Sequence, residues 1–262
     1  MIHRRIGIQL GSLRQSFKQS LITAAKLGAN GVELDARHTL RPREMGQTAI
    51  RQLRKQLEDL GLGVAAVSFH TRRGYDVVED LDARISATKE AMSFAYALGC
   101  AVVVNHVGRI PEDESAPSWD VLRQALTDLG RHAQHCGAFL CARTGAESGE
   151  TLARLLAALP EGTLRVDLDP GATIINGFSV ADTLAAVGPH VAHVHARDAV
   201  RDLAQGRGLE VQLGRGVADF PSIMATLEEH RYAGYTTIQR QSSEASESSL
   251  ADAVKYLRAL GY

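Results

Sequence analysis

Cysteine is scarce in this chain: Cys100, Cys136 and Cys141 are the only three in 262 residues. An odd, small number of thiols with no signal peptide excludes a disulfide framework and predicts reduced thiols in the cytoplasm. Long apolar runs are also missing, and a membrane span needs about 18 consecutive apolar residues. The opening MIHRRIGIQL carries two arginines, but its apolar stretch is too short for a signal-peptide core and no small-residue cleavage site follows. Neither charge is in excess: 29 Lys and Arg against 30 Asp and Glu leave −1. That balance excludes the basic face of a dedicated nucleic-acid binder. No linker rich in Pro, Ser or Gly divides the sequence, and no segment is of low complexity. At roughly 150 residues per domain the length allows one or two domains, and without a linker the reading is one domain over residues 1–262. Such a chain buries about three quarters of its surface, so it needs no metal or disulfide to hold together.

What is present is a recurring punctuation. Amphipathic segments end in Gly and lead within a few residues into a short β-rich run, as in KLGANGVELDA (26–36), DLGLGVAAVSFH (59–70), ALGCAVVVNH (97–106), HCGAFLCAR (135–143), VGPHVAHVHA (187–196) and YAGYTTIQR (232–240). Glycine just past a helix accepts the left-handed C′ conformation without a Cβ clash. The helical period is clear: Ile50, Leu53, Leu57 and Leu60 share a face, as do Leu122, Leu126, Leu129 and Cys136, and Leu250, Val254, Leu257 and Leu260. With RIGIQL (5–10) and LRVDLD (164–169) there are eight short, mostly apolar strands, each followed by a helix. Strands of that kind run parallel and are covered on both faces. Eight βα units in a chain of this length predict a (β/α)8 TIM barrel. The competing doubly wound sheet usually carries a glycine-rich nucleotide turn, and GIQLGSLRQS has no G-x-G-x-x-G.

A barrel places its chemistry at the C-terminal strand ends, where residues two apart share a face. Polar residues stand there on seven consecutive strands: Glu33 and Asp35, Ser68 and His70, Asn105, Arg143, Asp167 and Asp169, His193 and His195, and Gln239 and Gln241. Any one of them alone reads as a cap or a solvated loop residue; a ring of seven around one mouth reads as a site. His193 and His195 resemble a metal pair, yet about 6.6 Å of strand rise puts them in different layers. Arg165 and Arg240 alternate with inward residues and should face the helices in salt bridges. GRGLEVQLGRG (206–216) reads as a flexible loop over the mouth, SSEASESS (242–249) as the last strand-to-helix loop, and Trp119 as helix-start packing. Cys136 and Cys141 read as core thiols, since nothing nearby would lower their pKa.

The stretches GIQLGSLRQSFKQSLITAAKLGANGVELDA, ISATKEAMSFAYALGCAVVVNHVGRIPEDE, Asp169-Pro170, HVHARDA (193–199) and VQLGRGVADFPSIMATLEEHRYAGYTTI occur in that order from about residue 6 to 260. They resemble the sugar phosphate isomerase/epimerase family of the xylose isomerase-like TIM-barrel superfamily, which includes ketose 3-epimerases. The resemblance implies a divalent ion, manganese or magnesium, held at the mouth by a strand-5 Glu, a strand-6 Asp, a strand-7 His and a strand-8 Glu. In 3-epimerases the two glutamates are also the acid and base that move the proton beside the carbonyl. Asp169 and His195 match the pattern here. Arg143, within Arg-Thr-Gly, and Gln239, within Gln-Arg-Gln, stand in place of the glutamates, and Ala172 replaces the usual Asn after Asp-Pro.

Electrostatics decides what that does to a metal. Two unit charges 4 Å apart interact by about 4 kcal/mol at an effective dielectric of 20, so exchanging a carboxylate for a guanidinium beside a divalent ion costs on the order of 16 kcal/mol. That matches the about 10–16 kcal/mol that holds a structural zinc. No metal or other cofactor is therefore expected. Arginine stays protonated and cannot serve as a base. It either fills the vacated site and neutralises Asp169, or acts as a built-in cation for a ligand's carbonyl, carboxylate or phosphate. The expectation is a barrel mouth that binds a small carbohydrate or sugar acid. Its catalytic candidates are His195, Asp169 and Arg143, and its substrate-binding candidates are Glu33, His70, Asn105, Asp198, Arg201 and Gln239. The alternative is a pseudoenzyme that binds ligand or partner without turnover. A third, metal-dependent nuclease reading fails on the missing carboxylates and the balanced charge. No nucleic-acid or membrane partner is expected, and assembly of identical copies is left open.

Overall fold

A computed structural model describes residues 5–201, 208–242 and 245–261. The chain runs β1 (Arg5–Gln9), α1 (Phe17–Lys26), β2 (Gly31–Asp35), α2 (Gln47–Asp59), β3 (Gly63–Ser68), α3 (Leu81–Ala97), β4 (Val102–Asn105), α4 (Pro117–Cys136), β5 (Phe139–Arg143), α5 (Gly149–Ala157), β6 (Arg165–Leu168), α6 (Pro170–Ile175), α7 (Val180–Val187), β7 (Val191–Ala196), β8 (Asp198–Val200), β9 (Leu209–Val211), α8 (Phe220–Glu229), β10 (Tyr235–Ile238) and α9 (Glu247–Ala259). Eight parallel strands close in the order β1-β10-β7-β6-β5-β4-β3-β2, which is the expected (β/α)8 barrel. Residues such as Ile6, Ile8, Val32, Leu34, Val103, Leu140, Val166 and Val194 point outward and pack under the helices. Inside, a small cluster of Ala66, Val104 and Cys141 fills part of the floor. Cys141 is thus core, as read, and burial pushes its thiol pKa well up. Trp119 is buried at the start of α4, with Arg154 stacked 4.8 Å from its ring centroid.

The glycine punctuation holds at four helix ends, where Gly28, Gly61, Gly99 and Gly137 take positive φ. Two readings change. Gly188 stays right-handed and opens a short 3-10 turn ahead of β7, while Arg231, not Gly234, takes the left-handed φ of 58° after α8. Residues 208–216 of the expected loop are also more regular than a loose loop. Of these, Leu209–Val211 form β9, antiparallel to β8 with Ala199 opposite Glu210, because L-E-V alternates in strand period; residues 206 and 207 lie outside the described set. Of the Ser/Glu stretch, Ser246 caps α9 in a reciprocal capping box with Ser249.

Gly7 shows how tightly the barrel closes. A Cβ there would meet the Thr237 hydroxyl and, at 3.0 Å, the Ala65 Cβ. The missing side chain leaves room for Thr237 to reach His193 on the adjacent strand β7, at 2.7 Å. Gly7→Val should cost about 1–3 kcal/mol by overpacking and lower the melting temperature by several degrees. An unchanged melting curve would place position 7 outside the packed layer.

Candidate active site

Alternation along the strands builds the site in two layers. The lower one joins β6, β7 and β2. Asp167 is fully buried and accepts hydrogen bonds from His193 Nδ1 (2.8 Å, to Oδ1) and from His195 Nδ1 (2.9 Å to Oδ1, 2.7 Å to Oδ2). The other nitrogen of His195 donates to Glu33 Oε2 at 2.6 Å, and Glu33 also accepts from Gln9 at 2.9 Å. An imidazole that donates from both nitrogens is an imidazolium. Burial would depress the His195 pKa, but Asp167 and Glu33 outweigh it and lift the pKa to about 9. Burial would likewise raise Glu33, yet His195 brings it down to about 2.

The upper layer is built on Arg143 at the end of β5. Its Nε donates to Asp169 Oδ2 at 2.8 Å, and its Nη2 reaches both Asp169 Oδ2 and Gln239 Oε1. From β7, two residues past His195, Arg197 Nη1 meets the same Asp169 oxygen at 2.8 Å, and its Nη2 donates to Glu210 Oε2 at 2.9 Å. Arg240 stands 3.3 Å from Glu210 Oε1 on β9, a salt bridge as expected but to the hairpin and not to a helix, while Arg165, expected in a salt bridge, lies over Phe139 at 5.7 Å. The result is a buried chain of alternating sign: Arg143, Asp169, Arg197, Glu210, Arg240. Burial would push Asp169 up, but Arg143 and Arg197 hold it at about 2. Its second oxygen caps α6 by accepting the Ala172 N–H at 2.8 Å.

Several expected ligand contacts are absorbed by the protein itself. Asn105, expected at the substrate, is wholly buried: its Oδ1 accepts the Thr71 and His106 N–H groups, and its Nδ2 donates to Thr71 Oγ1 and Tyr75 OH. Because Val104 faces into the barrel, the inward position two residues on is His106, which the strand-end reading passed over. Asp198 points away from the mouth and accepts the N–H groups of Ala199, Gly214, Gly216 and Ala218, pinning the segment before α8. Arg201 is exposed and lines a separate cavity of about 390 Å³ between α7 and α8. His70 does line the mouth: its Nδ1 is buried with no hydrogen-bond partner, and its ring stacks 5.6 Å from His106. Burial, then the charge of Arg143, lowers both imidazoles, His106 to about 4 even though it keeps an exposed edge. Arg197 and Glu210 also escaped the sequence reading. Arg197 continues the inward alternation of His193 and His195, whereas Glu210 is reached only through the hairpin and had no local signal.

Asp167, His193 and His195 are the group of possible metal ligands that converges among the described residues, with donor atoms all within 4.8 Å of one another. Their facing atoms are already joined by hydrogen bonds, and the Arg143 guanidinium lies 4.0 Å from Asp167. At the family's ligand positions the fit is no better: Asp169 Oδ2 is shared by two guanidiniums and His195 has no free lone pair. These residues do not fit a divalent ion as they are arranged.

Residues 21–260 match the family model for the xylose isomerase-like TIM barrel, and the chain belongs to that family. Among curated proteins it is similar to an inosose dehydratase of Clostridium perfringens, 23% identical over 92% of this chain and 87% of the relative. Among solved structures, a xylose isomerase domain protein from Planctomyces limnophilus superposes with a TM-score of 0.86 at 24% identity, covering 98% of this chain and 97% of that one. A 3-keto-D-glucoside 4-epimerase from E. coli superposes at 0.71 and 17% identity, covering 98% and 99%. At these identities the structural likeness carries the fold alone.

Two expectations follow from the ion pairs. Arg143→Ala leaves Asp169 buried against Arg197 alone and should destabilise the protein by about 3–5 kcal/mol. Adding Asp169→Asn should recover much of that loss in a denaturant melt; additive losses would show that the two side chains do not interact.

The second concerns pH. Glu33 and Asp169 have folded pKa values of about 2, below their unfolded values, so their contribution is present above about pH 4–5 and is lost as pH falls toward 2. His195 is raised to about 9, so its contribution is full below its unfolded pKa of about 6.5 and is lost as pH rises through 9. The melting temperature should therefore plateau between about pH 5 and 6.5 and decline on both sides. A flat profile from pH 6.5 to 9.5 would rule out the imidazolium.

Proposed function

We propose that the mouth binds a small polyhydroxylated ketone and moves the proton beside its carbonyl without a metal ion. The observation that carries this reading is a pair of unused donors: Arg143 Nη1 and Gln239 Nε2 make no hydrogen bond among the described residues, while the rest of each side chain is fixed. Donors held in place before the reaction suit an oxygen on which negative charge develops. His70 and His106, both neutral near pH 7 and within electrostatic reach of Arg143, supply the base. One imidazole takes the proton, and the C–H electron pair moves into the new C=C bond. The carbonyl oxygen becomes an enolate held by Arg143 and Gln239. Delivery of a proton to the opposite face by a water molecule, while the imidazolium gives its own proton to the hydroxide so formed, inverts the centre. Loss of a β-hydroxyl, protonated by the imidazolium, eliminates water. Epimerase and dehydratase names both occur among the similar proteins, and the two reactions share this first step. Asp169 and His195 serve by positioning: Asp169 aims Arg143, and His195 locks the layer beneath it.

A second reading, ligand binding without turnover, is favoured by the enclosure of His195, both of whose nitrogens are bound to carboxylates. One experiment separates the two. The protein is incubated with inosose, fructose, tagatose and ribulose in D2O, with EDTA or with Mn²⁺, and loss of the proton beside the carbonyl is followed by NMR. Exchange that persists in EDTA and falls about 10²–10⁴-fold in His70→Ala or His106→Ala is expected. Exchange that requires Mn²⁺ overturns the metal-free reading. Saturable binding of these ketones without exchange supports the non-catalytic one.

A further inference from the structure

We infer that the outer rim of the barrel, between the β2–α2 and β3–α3 connections, is a binding site for an organic phosphate monoester, independent of the reading of the mouth. Two adjoining cavities of about 400 and 420 Å³ lie there, and both are bounded by Arg37, Arg43, Phe69 and Ala87. Arg41 adds to the first; Arg72, Arg73 and Arg84 add to the second. Most of these guanidiniums are committed. Arg43 grips Glu90 through Nε (2.6 Å) and Nη2 (2.9 Å), Arg41 pairs with Glu44 at 3.1 Å, and Arg73 pairs with Glu79 at 2.8 Å. Asp80 lies 4.0 Å from Arg73, and Arg84 is turned onto the main-chain carbonyls of Val77 and Glu79.

Arg37 and Arg72 are different. Neither side chain has a hydrogen bond or an acidic partner among the described residues, and the Arg37 guanidinium carbon stands 5.7 Å from the Phe69 ring centroid. Six guanidiniums line the two cavities against three lining carboxylates, Glu44, Asp80 and Glu90, with Glu79 paired to Arg73 from outside. Arg37 and Arg72 are the lining guanidiniums with no acidic partner among the described residues, and two such cations suit the −1.5 to −2, roughly, of a phosphate monoester near pH 7. Arginine matches phosphate oxygens through its fork of N–H donors. The cavity volumes exceed what orthophosphate needs, and the Phe69 ring offers an apolar wall for a carbon skeleton. A phosphorylated sugar or polyol meets all three conditions. Two cavities of this size in a chain of balanced charge do not make the extended basic face that a nucleic acid requires. Phe69 directly precedes His70, so an occupant would also steady the segment that carries a mouth histidine.

Calorimetric titration of the full chain tests this, with glucose 6-phosphate, inorganic phosphate and glucose as probes. Glucose 6-phosphate should bind one per chain, inorganic phosphate more weakly, and glucose not at all. Arg37→Ala with Arg72→Ala should weaken glucose 6-phosphate by about tenfold or more without lowering the melting temperature, because neither side chain holds the fold together. Arg215→Ala, an exposed arginine elsewhere, and His106→Ala, in the mouth, should leave the affinity unchanged. No binding, equal affinity in the double variant, or loss in His106→Ala would each overturn the proposal. A single-stranded oligonucleotide that binds more tightly than glucose 6-phosphate, through the same two arginines, would assign the rim to nucleic acid instead.

Discussion

The contact between Arg143 and Asp169 governs the mouth of this barrel. A carboxylate sealed from water is tolerable only with a cation against it, and Asp169 has two, one on each neighbouring strand. Arg197 is in turn held by Glu210, and Glu210 by Arg240. The β8–β9 hairpin therefore owes its seat to the same electrostatics that fix the upper layer. Beneath it, His195 between Glu33 and Asp167 repeats the pattern with a more acidic cation, an imidazolium that can lose its proton. The lower layer holds one carboxylate more than its cation, and the upper one guanidinium more than its carboxylates, so the two layers neutralise each other. The field that remains at the mouth comes from the outward edge of one guanidinium and one amide.

The fold was largely legible because three independent signals agreed: helix-terminal glycines, apolar periodicity, and eight strand runs in a length that suits eight βα units. The extra hairpin was missed because three-residue strands on either side of a long connection leave hardly any period to detect. The ring of polar strand ends was also visible, and the Arg143–Asp169 pair followed from adjacent strands. What failed was parity. Asn105 looks like a strand-end ligand residue, but counting from the inward Val104 gives His106, and one residue of register turns a side chain to the other face. Asp198 failed for another reason: an acidic residue beside a glycine-rich segment can serve that segment's own N–H groups, and no pattern in the sequence tells this from a ligand contact.

The two polar regions of the molecule differ in how their charges are held. In the mouth every carboxylate is buried and over-provided with donors, and geometry is set before any ligand arrives. On the outer rim the guanidiniums are exposed, and two of them are uncommitted. Preorganisation suits a step in which charge moves by one bond, whereas free arginines on flexible stems suit capture of a ready-made anion.

The alternating chain of charges also limits the ways this sequence can change. A glutamate at position 143 alone would bring its carboxylate against Asp169, with only Arg197 between it, Asp169 and Glu210. One at 239 alone would add a further buried charge beside Arg143 and shift its partners. Each of these single substitutions leaves a folded state with unbalanced interior charge, and proteins stable by only about 5–15 kcal/mol have little margin for it. The residues of the chain are therefore interdependent: Arg143 can be exchanged without loss only if Asp169 and its other partners change with it.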